Sequence, residues 1–207
     1  MSETKDRDRG DAPEPRGGAK RHVRADAQRN EDAVLEAAKA IFATSGVDAP
    51  ARDIAAKAGV GVGTLYRRFP KRSDLVAAVY RREVDACTAA ARVLAAEQPP
   101  GEALVRWLKR YTDFIATKRG LAAALHSGDP AFDALPAYFQ TNFEPVLGSL
   151  LAAAAAAGEV RAGVDPHDLL YAVAGLSVPV YKDSTDHSQR MIDLLIDGLR
   201  YGAKPSS

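Results

Sequence analysis

Residues 52–69 read RDIAAKAGVGVGTLYRRF, a stretch that fits two short helices joined by a tight turn. Ala55 and Ala58 let the helices cross closely, and Gly59 can adopt the positive φ that a sharp turn requires. The remaining small core would come from Ile54, Val60, Leu65 and Phe69. This spacing predicts a helix-turn-helix whose second helix enters the major groove of DNA.

The second helix carries side chains that suit DNA recognition. Arginine can pair with guanine through two hydrogen bonds, threonine can contact a thymine methyl group or a phosphate, and a tyrosine hydroxyl can hold a phosphate. Arg52, at the start of the motif, is also included among the predicted contacts. On the second helix, DNA contacts are predicted from Val62, Gly63, Thr64, Tyr66, Arg67 and Arg68.

Charge is distributed unevenly along the 207 residues, although the formal net charge is only +1. Residues 1–96 hold 18 basic and 14 acidic side chains, whereas residues 97–207 hold 10 and 13. Residues 49–82 hold 8 basic and 2 acidic side chains, an excess that could neutralise phosphates and release counterions. The N-terminal part is therefore the expected DNA-binding end, although Arg81 and Arg82 could equally form a solvated face.

Helical periodicity continues on both sides of the motif. Helices are predicted from Asn30 to Gly46, over Pro50–Ala58, over Val62–Phe69 and from Ser73 to a break at Gln98. After that break, apolar stripes predict helices over residues 102–119, 135–157, 167–181 and 186–202. No alternating β-branched pattern competes, so the predicted fold is all-α.

The same patterns divide the chain into four segments. Residues 1–28 are rich in Gly, Pro and charge, which predicts a disordered polar and basic arm. Whether that arm enters a minor groove or only aids solubility stays open. The other predicted segments are a three-helix DNA-binding domain at 29–75, a connecting helix at 76–98 and a ligand-binding and dimerisation domain at 99–207.

Across residues 30–84 the chain resembles the TetR family of transcriptional regulators. The resemblance lies in IleAla-x-x-AlaGlyVal-x-x-Gly-Thr-Leu-Tyr-x-x-Phe, ending at Phe69 and followed by a basic residue and Leu75. It implies that Tyr66 and Arg72 contact phosphates, with Lys71 as an adjacent candidate. The chain departs from the family pattern at three positions. Pro50 stands where Thr often caps the second helix, Gly61 where Ser is usual and Arg68 where His is common, so Pro50 and Gly61 could contact phosphate only through their backbone.

The resemblance also implies how the C-terminal part works. Its last two helices are expected to pair with those of a second copy in a four-helix bundle, placing two reading helices about 34–36 Å or a multiple apart on a pseudo-palindromic operator. Aromatic residues spread over several predicted helices provide material for an apolar pocket. The effector-binding candidates are Trp107, Tyr111, His126, Phe139 and Phe143.

The expected function is therefore a ligand-responsive repressor, released from its operator by a small apolar or amphipathic molecule. One alternative is a helical ligand- or partner-binding protein whose DNA-reading unit is vestigial, and another is a hydrolase using His126 near Ser127 and Asp129. No nucleophile elbow or metal-spaced His/Cys cluster supports enzyme chemistry, and no cofactor or metal is expected. The single cysteine, Cys87, and the lack of a long apolar run predict a cytoplasmic protein without a membrane partner.

Overall fold

The computed structural model describes residues 16–177 and 185–201, and these ranges contain helices and no β-strand. The all-α prediction is confirmed. The predicted end of the penultimate helix, near Tyr181, lies outside the described residues. The helices are α1 (Arg16–Ser45), α2 (Ala51–Ala58), α3 (Val62–Arg68), α4 (Arg72–Glu97), α5 (Pro100–Gly120), α6 (Ala122–Leu125), α7 (Leu135–Ala156), α8 (Pro166–Leu176) and α9 (Thr185–Tyr201), with a 3₁₀ turn at Pro130–Phe132.

Helix α1 begins far earlier than the sequence predicts. Its first residue is Arg16, so the predicted disordered arm is wrong for residues 16–28, while residues 1–15 lie outside the described part. The segment after Gly18 is poor in apolar residues but rich in Ala, Lys, Arg and Gln, which favour helix without needing burial. Local side-chain bonds add to this, since Gln28 Nε2 donates to Asp32 Oδ1 at 3.3 Å.

The core is organised around α4, which packs most extensively against α5 and α7. Its side chains Val76, Val84 and Cys87 are completely buried. Burial raises the pKa of the Cys87 thiol to about 12, so this cysteine is protonated and unreactive at neutral pH. Because α4 begins directly after the helix-turn-helix and packs against α5 and α7, it connects the helix-turn-helix to the C-terminal helices.

A buried ion-pair cluster ties three helices together beside that connection. Glu83 of α4 is only 4% exposed, and its Oε2 lies 2.7 Å from Lys39 Nζ of α1 and 3.7 Å from Arg110 Nη2 of α5. A buried carboxylate is tolerated only when it is paired, so these contacts fix how α1 sits on α4 and α5.

Helices α1 and α5 also meet directly, at a backbone-to-backbone contact. Gly120, the last residue of α5, lies so close to α1 that an added Cβ would sit 3.4 Å from Phe42 O and 3.5 Å from Ala43 Cα. An added Cβ would already be in van der Waals contact with the α1 backbone, so the two helix backbones pass close to each other here. The helix that precedes the helix-turn-helix and the C-terminal helical part are therefore in direct backbone contact at this glycine.

Candidate DNA-binding face and effector cavity

The helix-turn-helix has the local geometry that its sequence predicts. Gly59 ends α2 with a φ of 69°, and the next residue, Val60, donates its N–H to Ala55 O at 3.0 Å. Only glycine adopts this left-handed conformation at no cost, so a sharp turn into α3 is possible. Ile54, Leu65 and Phe69 are buried beneath the turn and hold α3 against α2.

Helix α3 presents the predicted reading residues on its exposed side. Tyr66 is 53% exposed and Val62 is 39% exposed, while Gly63 and Arg67 are also exposed and Thr64 is half-buried. Nothing lies within 4 Å of a Cβ built on Gly63. Glycine in a helix costs about 1 kcal/mol relative to alanine, so its use at an open surface suits close approach to another molecule.

Two of the predicted basic contacts are already engaged within the protein. Arg68 Nε donates to Glu31 Oε2 of α1 at 2.9 Å, and its Nη2 lies 2.6 Å from the same oxygen. The Arg72 guanidinium donates to Ala49 O and lies 5.7 Å from the centre of the Phe42 ring. Arg68 therefore holds α3 against α1, and Arg72 holds the start of α4 against the loop between α1 and α2. Of the two arginines on α3, Arg67 is the one without an ion pair to another described residue.

The remaining candidates meet in a groove at the start of α2. A cavity of about 170 Å³ is lined by Ala51, Tyr66, Lys71 and Arg72, together with apolar side chains beneath them. No side chain caps the N-terminus of α2, because Pro50 stands at its N-cap. Free N–H groups, a phenol and two cations therefore converge here, which is a suitable arrangement for a phosphate.

Arg52, another of the predicted contacts, is highly exposed. Its side chain is 80% exposed, and its Nε lies 3.5 Å from Asp53 Oδ1. This weak surface pair leaves most of the guanidinium in water.

A second cavity, of about 250 Å³, lies in the larger helical part among α4, α5, α7 and α8. Three of the predicted effector contacts, Tyr111, His126 and Phe139, line it. Several other lining side chains are not among the effector contacts predicted from the sequence. These are Tyr80, Ile115, Lys118, Leu125, Phe132, Leu135, Pro136, Gln140, Tyr171 and Ala174.

Trp107 and Phe143, the other two predicted effector contacts, do not line this cavity. Both are completely buried, and their ring centroids lie 5.8 Å apart in an edge-to-face contact. Trp107 Nε1 donates to Cys87 O at 3.0 Å, which satisfies the indole within the core. These residues form the packed wall behind the cavity, since their ring faces are already covered by neighbours.

The cavity has hydroxyl, amide and ammonium groups at its walls. Tyr111 donates its hydroxyl to Leu170 O at 3.3 Å, while the Tyr80 hydroxyl makes no hydrogen bond to any described residue. Burial raises the pKa of Tyr80, so this phenol remains a donor. Lys118 Nζ lies 5.7 Å from the centre of the Phe139 ring, and partial burial lowers the pKa of Lys118.

The hydrolase alternative gains no support from the geometry around His126. Asp129 accepts a hydrogen bond from Ala131 N at 2.9 Å, and Ser127 Oγ accepts one from Asp129 N at 3.3 Å. Within the described ranges no hydrogen bond joins His126 to either residue. The Ser–His–Asp hydrogen bonds of a hydrolase triad are therefore missing there. Among the same residues no group of three His, Cys, Asp or Glu side chains could hold a metal ion. None of the described helices combines the length and the hydropathy of a membrane-spanning segment.

Helices α8 and α9 leave a partly apolar face uncovered. Tyr171 is 56% exposed and Leu194 is 64% exposed, and small residues on the same helices, Gly175 and Gly198, are also exposed. The leucines predicted for this region divide between the two sides, because Leu169, Leu170 and Leu199 are buried within the chain.

Comparison with known families agrees with this arrangement. A model of the TetR family of bacterial regulatory proteins matches residues 34–79, and a model of the C-terminal domain of SbtR-like transcriptional regulators matches residues 99–201. A helix-turn-helix on a helical domain with its own cavity defines a class of regulators and not of enzymes. The chain belongs to the TetR family of transcriptional regulators.

Solved structures extend the similarity over most of the chain. A TetR regulator from Streptomyces coelicolor is 39% identical, with a TM-score of 0.72, covering 82% of this chain and 98% of that one. A TetR regulator from Mycobacterium vanbaalenii is 37% identical, with a TM-score of 0.68 and coverages of 86% and 99%. LfrR from Mycobacterium smegmatis, solved in complex with proflavine, is 25% identical, with a TM-score of 0.58 and coverages of 86% and 99%.

The similarity to curated relatives is shorter. HTH-type transcriptional regulators from Staphylococcus aureus are 39% identical over 64 residues, which is 30% of this chain. The chain spans only 35% of the length of these relatives.

Proposed function

We propose that this protein is a dimeric repressor that binds a pseudo-palindromic operator and is released from it by a small molecule held in the 250 Å³ cavity. The observation that carries the proposal is the exposed face of α3 above a correctly turned helix-turn-helix. A vestigial reading unit does not account for the open space at Gly63 and the exposed, unpaired Arg67 on that face.

The proposed contacts have different roles. Tyr66 and Lys71, with the N-terminus of α2, hold the phosphate backbone, while Thr64 and Arg67 read base edges. Val62 and Gly63 allow the backbone of α3 to come close to the groove. Arg52 adds a weaker outer contact, and Arg68 and Arg72 position α3 while lending positive charge.

The proposed effector response is a change between two states of the dimer. LfrR was solved in complex with proflavine, which supports a small-molecule ligand for this chain as well. A ligand shifts the protein only through different affinities for its two states. The proposed shift changes the spacing of the two reading helices, so that they no longer fit successive major grooves.

Selection of bound fragments from genomic DNA by the full chain tests this function. We expect one family of pseudo-palindromic sequences to be enriched and then lost when the effector is added. Enrichment of no sequence, together with retained ligand binding, would favour the vestigial alternative.

Substitutions at the phosphate groove test its role separately. Tyr66→Phe and Lys71→Gln should weaken binding to operator and random DNA alike, because phosphates carry no sequence information. Lys71→Gln should also reduce the slope of log affinity against log salt by about 1. Arg92→Gln is the charge-matched control, since Arg92 is exposed on α4 well beyond the groove. An unchanged salt slope for Lys71→Gln would remove Lys71 from the contact.

The dimer is proposed to form through the uncovered face of α8 and α9. Leu194→Glu should shift the protein from dimer to monomer in analytical ultracentrifugation, because the partner would have to bury an unpaired carboxylate. Val93→Glu is the matched control, since Val93 is 53% exposed on a different helix. A dimer that survives Leu194→Glu but not Val93→Glu would move the interface to α4.

A further inference from the structure

The charge of the cavity restricts the ligand that it can hold, if the cavity is the effector site proposed above. Among the described lining residues Lys118 is the one lysine or arginine, and none of them is acidic. No carboxylate oxygen of the described chain lies within 4 Å of Lys118 Nζ. A partly desolvated ammonium with no anionic partner favours binding of an anion.

A second unused donor faces the same space. Tyr80 is only 3% exposed, lines the cavity and has no hydrogen-bond partner among the described residues. A ligand oxygen that enters the cavity can accept a hydrogen bond from this hydroxyl. The Gln140 amide and the His126 ring add further polar groups to the lining.

The rest of the lining restricts the body of the ligand. Tyr111, Phe132 and Phe139 supply rings, and the other lining side chains near them are mainly aliphatic. The cavity volume of about 250 Å³ lies just below the range of common drug-binding pockets, which favours a small ligand.

We propose that the effector is a small aromatic carboxylate. Its carboxylate pairs with Lys118, its ring packs against Phe139 and Tyr111, and the Tyr80 hydroxyl donates to a ligand oxygen. Neutral and cationic molecules of the same shape leave the ammonium unpaired or repel it, so the cavity discriminates by charge.

Three matched probes test this by titration calorimetry with the full chain: cinnamate, cinnamamide and cinnamylamine. We expect cinnamate to bind at least about 10-fold more tightly than the amide and the amine, as for a hydrogen bond to a charged group. Lys118→Met should lower cinnamate affinity by about 10-fold and leave the amide unchanged. Tyr80→Phe should weaken cinnamate binding without changing the circular dichroism spectrum. Lys109→Met is the control, because Lys109 is exposed on the opposite side of α5 and faces Asp193.

Equal or tighter binding of the amide or amine would overturn the proposal, as would no binding of cinnamate or no effect of Lys118→Met. Operator selection by the unliganded protein is measured separately. If operator binding persists while cinnamate fails, the ligand class is wrong and the regulator remains. If cinnamate binds as expected while no operator is selected, the ligand class stands and the proposed function fails.

Discussion

Replacing Trp107 by alanine is expected to lower the free energy of unfolding by about 3–5 kcal/mol. The indole is completely buried, stacks on Tyr111 at 5.7 Å between ring centroids and donates to Cys87 O. Alanine would leave a cavity between α4, α5 and α7 and would remove the hydrogen bond from the indole to Cys87 O. Urea unfolding at fixed protomer concentration measures the loss, because the stability of the proposed dimer would depend on concentration.

Two companion variants separate the contributions at this position. Trp107→Phe keeps most of the ring volume and removes the hydrogen bond, so its loss should be clearly smaller. Val93→Ala, at an exposed site, should change stability by less than about 0.5 kcal/mol. A loss below about 1 kcal/mol for Trp107→Ala would show that the indole lies at a deformable ligand site, in line with its prediction as an effector contact, and not in the core.

Replacing Arg67 by alanine is expected to weaken binding to the selected operator by about 5- to 150-fold, or about 1–3 kcal/mol. Arg67 is exposed on α3 and has no ion pair in the described structure, so its guanidinium is free to meet a base edge. The effect should be concentrated at one base pair in each half-site. Fluorescence anisotropy with operators altered one position at a time measures this.

The matched control is Arg92→Ala, which removes the same charge from an exposed site on α4. It should change operator affinity little. Arg68→Ala should behave differently again, because Arg68 is held by Glu31 and its loss loosens α3 against α1. Equal weakening of operator and random DNA by Arg67→Ala would assign Arg67 to the phosphates.

The local part of this fold could be predicted from the sequence with little ambiguity. Gly59 and the core positions Ile54, Leu65 and Phe69 are close in sequence, so their spacing alone determines the turn and the buried side of α3. The start of α1 could not be predicted, because it contains Gly17 and Gly18 and the helix-favouring residues after them form no apolar stripe.

The cavity could be predicted only in part, because it depends on which helix faces meet. Trp107 and Tyr111 lie one turn apart on α5, yet only Tyr111 reaches the cavity. Lys118 left a usable signal, since a lysine that follows Phe114 by four residues continues the apolar face of its helix. The position of Tyr80 in the cavity wall could not be predicted from the sequence, because its orientation depends on how α4 packs.

Similar limits apply to the basic side chains. Arg68 and Arg72 find their partners 37 and 23 residues away in sequence, at Glu31 and Ala49. Sequence spacing cannot show such contacts, so all four arginines of the region looked equally available for DNA.

The contact at Gly120 has a consequence for the engineering of biosensors. A chimaera that grafts this ligand-binding part onto another reading unit would be cut most naturally near Gln98, where α4 ends. Such a cut leaves Gly120 facing the α1 of a different parent, whose backbone has to replace Phe42 and Ala43 at the same close contact. A graft that carries the last turn of α1 together with α5 keeps this contact, and the transplanted unit is then discontinuous in sequence.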